Sequence, residues 1–506
     1  MNLKSPINRG LAVGFATISL VLSNYLPGLA QPTSTVRSTP LVAQTTPAGT
    51  LCPAQLGRAI TLITSRSSLA GVRWGILVQR LGTGTDRQTL FARNASKLFI
   101  PASNNKLLTT AAALKALGAQ YRFHTAVYGS SNQTNPTTLR IVGHGDPSLT
   151  TAQLAALAQQ LKQQGIQQVG QLIGDDTYFR GAASNPYWDK DDALEGYGAP
   201  VNSLMLNQNG IGMTLFPQRV GQPLQVQWDD PTDANTWRLS NQTTTVSAQE
   251  GEYVDAVRAP DQWLIRVTGQ LRAGSEAEPI AVSIPNPGNY LIDKFRTALT
   301  NANITVQSAT VVKATPAPPG EPELAAVESA PLAQLLIETN RESNNTYAEA
   351  LLKTLGATQT PSQDATAGGI AAVKATLTPL GVNAAGYSMV DGSGLASRNR
   401  VSPEALVQTL QAMAQLPTAA VYRNSLSVAG SSGTLKNRFR NTPAQGRLQA
   451  KTGTISGVVS LSGYLAPPNY PNVVLSILTN ASGTPATTVR GAVDDIVLVL
   501  TRLRSC

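Results

Sequence analysis

Histidine and cysteine are nearly missing from this chain. Two of each occur in 506 residues: His124 and His144, Cys52 and Cys506. Neither histidine sits beside a nucleophile-elbow sequence, so a serine–histidine–aspartate triad is not expected. So few ligands also argue against a zinc site, which needs three or four of them. No metal and no cofactor is expected. His144 lies in Gly143-His144-Gly145-Asp146-Pro147, which reads as a turn, and its role there is structural.

Charge is scarce too, at 13% of residues against 42% hydrophobic. That balance fits a globular protein with a Thr-, Gln-, Asn- and Gly-rich surface and excludes a disordered one. The length calls for two or three domains. Basic residues outnumber acidic ones, 39 to 29, but they are scattered, so nucleic acid is not an expected partner. A basic surface suits an anionic wall polymer, and equally plain solubility.

No long apolar run is present. The nearest, residues 11–22, is short of the roughly 20 residues that span a bilayer. It follows Lys4 and Arg9 and precedes Gly28-Leu29-Ala30, so residues 1–30 read as a cleavable secretory signal. An uncleaved anchor is the alternative. Loss of Lys4 and Arg9 takes the net charge from +10 to +8. The expected destination is the periplasm or another extracytoplasmic space, where the cysteines are free to pair. A lipid anchor on Cys52 is disfavoured, since bulky Leu51 precedes it. Residues 31–50, rich in Pro, Thr, Ser and Gln, read as a flexible linker.

What the chain does contain is organised in blocks. A helix is expected over 53–64, a strand over 75–80, and a helix over 102–117 between Pro101 and Gly118. From 123 the texture changes, with helices near 151–164 and 289–300 and strands near 169–173 and 304–312. Strand-like runs dominate 212–272. The fold class is therefore α/β (α+β). One domain spans 51–122 and 313–506. It is interrupted by an α/β domain, 123–211 and 273–312, which is itself interrupted by a β-rich domain, 212–272. The Pro-rich stretch 313–323 marks the return. Near the end, Val489, Val493, Ile496, Val497, Leu500 and Leu503 repeat at helical spacing.

Three motifs carry chemistry: Ser103-Asn104-Asn105-Lys106, then Ser343-Asn344-Asn345, then Lys451-Thr452-Gly453. Ser103 and Lys106 are i and i+3 in a helical first turn, so they share a face. A lysine takes the serine proton only if its pKa falls well below about 10.4. Burial and a second cation both push that way, and Lys451 is the candidate cation. Each motif alone is weak. Ser130/Asn132 and Ser397/Asn399 also fit Ser-x-Asn. The strength lies in order and context: the first opens a helix, the second lies between helices, the third opens a strand.

This set resembles the penicillin-recognising serine enzymes. Further stretches are similar to class C low-molecular-mass penicillin-binding proteins: Gly145 to Leu149, Gly174 to Phe179, Tyr197 to Val201 with Asn207 and Asn209, and Asp391 to Leu395 followed by Arg398 to Pro403. The long interval between the first two motifs fits as well, since that family inserts two domains there. The resemblance covers nearly the whole mature chain. It implies a β-lactamase/transpeptidase-like catalytic domain, an antiparallel sheet with flanking helices. It implies serine-type D-alanyl-D-alanine carboxypeptidase activity, with endopeptidase action on cross-links. The implied partners are peptidoglycan peptides, with β-lactam antibiotics as acylating inhibitors.

Carried over by motif, Ser103 attacks, Lys106 removes its proton, and Ser343 relays a proton to the leaving amine. Asn345 holds substrate or assists Lys106. Lys451 and Thr452 hold the terminal carboxylate, in a strand that continues through Gly453 and Thr454. The N–H groups of Ser103 and Thr454 form the oxyanion hole. Asp391 and Ser393 read as a turn that buttresses the site. The resembling fold packs the first and last helices side by side, which implies a Cys52–Cys506 disulfide. A serine β-lactamase is the first alternative. Its class A glutamate has no equivalent after Ser343, since Glu321-Pro322-Glu323-Leu324 precedes it. A non-catalytic wall-binding protein with the same fold is the second, and an unrelated esterase the third.

Overall fold

The computed structural model describes residues 49–129, 138–259, 263–314 and 320–506. The expected signal peptide and nearly all of the expected linker lie outside the described residues. So do Ser130 and Asn132.

A six-stranded antiparallel sheet organises the catalytic half. Its order is Ser427–Val428, Leu448–Ile455, Val458–Leu465, Val473–Ala481, Val72–Arg80 and Thr89–Arg93. Strands from opposite ends of the chain thus lie side by side, with Ile76 opposite Ile477. Alternation sorts their side chains to two faces. Ile76, Val78, Leu475 and Ile477 pack with Leu56, Ile60, Val493 and Ile496 from the helices Pro53–Thr64 and Ala486–Leu500. Leu77, Val474 and Leu478 face the other way, toward Leu107, Leu108 and Leu410. Every residue of Val458–Leu465 is buried, as expected of a strand covered on both faces. A disulfide joins Cys52, just before the first helix, to Cys506, with Cα atoms 5.8 Å apart.

The helix Lys106–Leu117 runs through the middle of the helical side. Its residues from Lys106 to Leu114 are all buried. Such a helix must be small and apolar all round, and Ala111-Ala112-Ala113 meets that need. The helices Leu332–Asn340, Asn345–Gln359, Ala365–Leu377 and Pro403–Met413 surround it.

The insertion builds three further sheets. Thr305–Val312, Gln168–Asp175, Thr138–Val142, His124–Gly129 and Glu323–Glu328 form a five-stranded mixed sheet. The helices Thr151–Gln163 and Pro287–Asn301 contribute Leu154, Leu157, Leu291 and Phe295 to its core. Beyond it stand two three-stranded sheets. One orders Arg238–Val246, Leu264–Arg272 and Tyr253–Arg258. The other orders Glu278–Ser283, Gly210–Phe216 and Gln225–Trp228.

Two inner boundaries differ from the sequence-based ones. The strand Glu278–Ser283, expected in the α/β part, pairs with Gly210–Phe216, and Val282 joins Ile211 and Met213 in the β-rich core. The strand Glu323–Glu328, expected after the return to the catalytic domain, pairs with His124–Gly129. Leu324 and Ala325 bury into the mixed-sheet core. The described chain is therefore still in the insertion at 323–328 and leaves it near 328 rather than at 313.

Candidate active site

The turn that carries Ser103 is built under strain. Ala102–Asn105 form a 3₁₀ turn that runs straight into the helix Lys106–Leu117. Ala102 sits at φ 49°, a region that costs a non-glycine residue energy. The surroundings hold it there from two sides. A Cβ at Gly394 would lie 1.9 Å from the Ala102 carbonyl oxygen, and one at Gly453 would lie 2.9 Å from the Ser103 nitrogen. Both chains therefore need glycine to pass this close. Ser460, opposite Gly453 on the next strand, donates to the Pro101 carbonyl at 2.7 Å and accepts from Asn104 at 2.6 Å.

Lys106 is wholly buried. Its Nζ lies 2.9 Å from Ser103 Oγ, 2.6 Å from Asn345 Oδ1 and 2.9 Å from the Ser393 carbonyl. The Asn345 amide is oriented by its own Nδ2, which donates to the Tyr197 carbonyl at 3.0 Å. Two of the three neighbours of Nζ are thus pure acceptors. A neutral lysine amine has two N–H bonds and one lone pair. Once both N–H bonds serve Asn345 and Ser393, the lone pair faces the hydroxyl of Ser103. Burial pulls the Lys106 pKa down to about 7, against the opposing charges of Asp391 and Glu349.

Lys451 is the other fully buried lysine at the site. It donates to Ser343 Oγ at 2.8 Å and to the Thr452 carbonyl at 2.9 Å. Burial first, then repulsion from Lys106, holds its pKa well below the usual lysine value. The sequence suggested Lys451 as the cation that lowers Lys106. In the structure burial is the largest cause at both lysines. Ser343 adopts φ 64°, a second strained non-glycine residue. Asn344, beside it, accepts from the Tyr347 N–H at 3.2 Å and so caps the helix Asn345–Gln359.

The strand carrying Lys451, Thr452, Gly453 and Thr454 has an open edge. On its outer side Ser427–Val428 pairs only with Ala450 and Gln449. Among the described residues, Lys451 to Ile455 have no strand partner on that side. An edge of this kind accepts an extended peptide. Thr452 Oγ1 points sideways and donates to Thr434 Oγ1 at 2.7 Å. Asp391 is buried and accepts from the N–H groups of Gly394 and Ala396, from Asn399 and from the Trp188 indole. These bonds fold the Gly-rich turn.

Ser103, Lys106 and Asn345 thus meet in one hydrogen-bonded group, and Ser343 and Lys451 in another. The cysteine pair lies away from both, at the chain ends. Neither histidine joins the site. His124 pairs with Glu323 at 2.9 Å and His144 Nδ1 donates to the His124 carbonyl at 2.8 Å. Sequence reasoning missed Glu349, Trp188, Gln208 and the Tyr197 carbonyl. Glu349 had a visible signal: Asn345, Glu349 and Lys353 recur every four residues, a polar stripe on a helix that is largely buried. Backbone groups such as the Tyr197 carbonyl carry no such signal.

Comparison with known proteins matches residues 56–502 to the model of the D-Ala-D-Ala carboxypeptidase 3 (S13) family. A D-alanyl-D-alanine carboxypeptidase of Actinomadura sp. (strain R39) is 33% identical over 448 residues, covering 85% of this chain and 82% of the relative. A penicillin-sensitive carboxypeptidase A of Dictyostelium discoideum is 26% identical, covering 86% and 88%. The crystal structure of penicillin binding protein 4 from Haemophilus influenzae superposes with a TM-score of 0.72 at 22% identity, over 87% of this chain and 98% of that one. That likeness shows the fold.

Proposed function

The chain belongs to the D-Ala-D-Ala carboxypeptidase 3 (S13) family, and on that premise we propose that Ser103 is the nucleophile and Lys106 its general base. The protein is a serine-type D-Ala-D-Ala carboxypeptidase. The observation that carries the assignment is the environment of Lys106 Nζ: two acceptors and one hydroxyl, in a buried position. Base catalysis of this kind contributes typically 10²–10⁴-fold.

In this reading Ser103 Oγ attacks the carbonyl carbon between the two terminal D-alanines, and its proton passes to Lys106. The N–H groups of Ser103 and Thr454 hold the oxyanion. Ser343 Oγ, polarised by Lys451, relays the proton held on Lys106 to the leaving nitrogen, so both side chains return to their starting states as the C–N bond breaks. Lys451 and Thr452 bind the terminal carboxylate beside the open strand edge, which Gly453 brings against the nucleophile turn. Water then attacks the ester, giving the shortened peptide and free Ser103. A β-lactam enters by the same first step, and cross-linked peptides are cleaved in the same way. Peptidoglycan places the enzyme outside the cytoplasm. Among the described residues no helix is long and apolar enough to cross a membrane.

Intact mass after addition of benzylpenicillin tests the assignment. An adduct on the parent protein and none on Ser103→Ala, with loss of D-alanine release in the variant, is the expected result. Rapid drug hydrolysis without an adduct would point to a β-lactamase instead.

A further inference from the structure

Glu349 is a buried carboxylate that the reaction above does not use. It projects from the helix Asn345–Gln359, one turn beyond Asn345, and is 2% exposed. It accepts the Gly392 N–H at 3.0 Å and the Ser393 N–H at 2.8 Å. The carbonyl of that same Ser393 accepts from Lys106 Nζ. A chain of contacts therefore runs from carboxylate to peptide to base. We propose that Glu349 is a positioning residue for acylation: it locks the Gly392 and Ser393 peptide units so that the Ser393 carbonyl meets Lys106, and its charge biases the protonation of that amine.

This inference rests on Lys106 being the base. The charged groups facing the pair are few. Asp391 adds negative charge from the turn, Lys353 adds positive charge from Glu349's own helix, and Lys451 stands on the strand side of Lys106. Burial and Asp391 raise the Glu349 carboxyl to about 7, and hydrogen bonds from the Ser393 hydroxyl and from the Gly392 and Ser393 N–H groups oppose them. Glu349 in turn raises Lys106. Ionised Glu349 favours the ammonium, so removing its charge makes Lys106 easier to deprotonate.

The sign of that effect separates positioning with charge from simple scaffolding. The rate of benzylpenicillin acylation is followed by intact mass from about pH 5 to about pH 9, a range that spans the base's titration. Glu349→Gln is expected to lower the plateau roughly tenfold and to move the acid limb down by roughly half a pH unit or more. Glu349→Asp keeps the charge but withdraws it by one methylene. Its plateau should fall while the limb stays near the parent position. A Glu349→Gln profile that superimposes on the parent overturns the inference. So does one that falls equally at every pH. If Glu349→Gln does not fold, Glu349→Asp decides: a parental plateau, or a lowered one with a matching loss of unfolding stability, overturns the inference, and a lowered plateau at parental stability supports it. Ser103→Ala is measured alongside. An adduct persisting there would sink the nucleophile assignment itself, whatever Glu349 does.

Discussion

Between Ala182 and Asn209 the insertion meets the catalytic half through buried polar groups. The carbonyls of Ala182 and Val201 accept from Lys353, each at 2.7 Å, and burial brings that lysine down to about 8. The Trp188 indole donates to Asp391 at 3.0 Å, the Tyr197 carbonyl orients Asn345, and Gln208 Oε1 accepts from Asn344 at 2.6 Å. The β-rich sheets that follow are different. They offer the catalytic half an exposed ion pair, Lys436 with Glu276 at 3.7 Å, of a kind that contributes little. The insertion is thus two things at once. Its near stretch completes the interior of the site, and its far stretch stands clear. The backbone agrees: Asn207, Gln208 and Asn209 are consecutive residues at φ 48°, 57° and 55°, and such strain gathers where a site requires it.

Substitutions on either side test that contrast. The largest effect is expected from Trp188→Phe, which leaves buried Asp391 short of a donor. A cost of about 1–3 kcal/mol in stability, read by denaturant unfolding, should accompany slower acylation. Parental stability and rate would make the near stretch as dispensable as the far one. Gln208→Asn should act more gently. Asparagine tolerates the left-handed backbone but falls short of Asn344, so a loss of about 0.5–1.5 kcal/mol and a several-fold drop in acylation rate are expected. An unchanged rate would show that the strained turn serves the insertion alone. Tyr253→Ala, on the far sheet, should change stability by less than about 0.5 kcal/mol and leave acylation untouched. Tyr253 is 58% exposed. A measurable fall in rate there would erase the distinction.

The sequence showed the parts of this design that are local. Ser103 and Lys106 are neighbours on one helical turn, and Lys451 to Thr454 are successive residues of one strand, so spacing alone relates them. The last helix announces itself through apolar periodicity, whereas the short edge strands Thr89–Arg93 and Ser427–Val428 of the central sheet went unread. What stayed hidden depends on distant chain segments. Trp188 and Asp391 are separated by 203 positions. The strand Glu323–Glu328 has only Leu-Ala-Ala-Val between two glutamates, too weak a pattern to show which sheet it would join. Gly453 looked like a motif letter, and only the packing shows that a side chain there would collide with the nucleophile turn.

The pairing of Val72–Arg80 with Val473–Ala481 has a consequence in time. Ser103 and Lys106 are made early, but the sheet beneath them closes only when the last of its strands has been synthesised. The insertion, whose strands pair among themselves, closes earlier, when Glu323–Glu328 reaches His124–Gly129. Long-range pairing of this kind is slow to form, and domains tend to fold as units while the chain emerges. A chain cut short before residue 473 would therefore carry Ser103 and Lys106 without the strand that completes the sheet beside them.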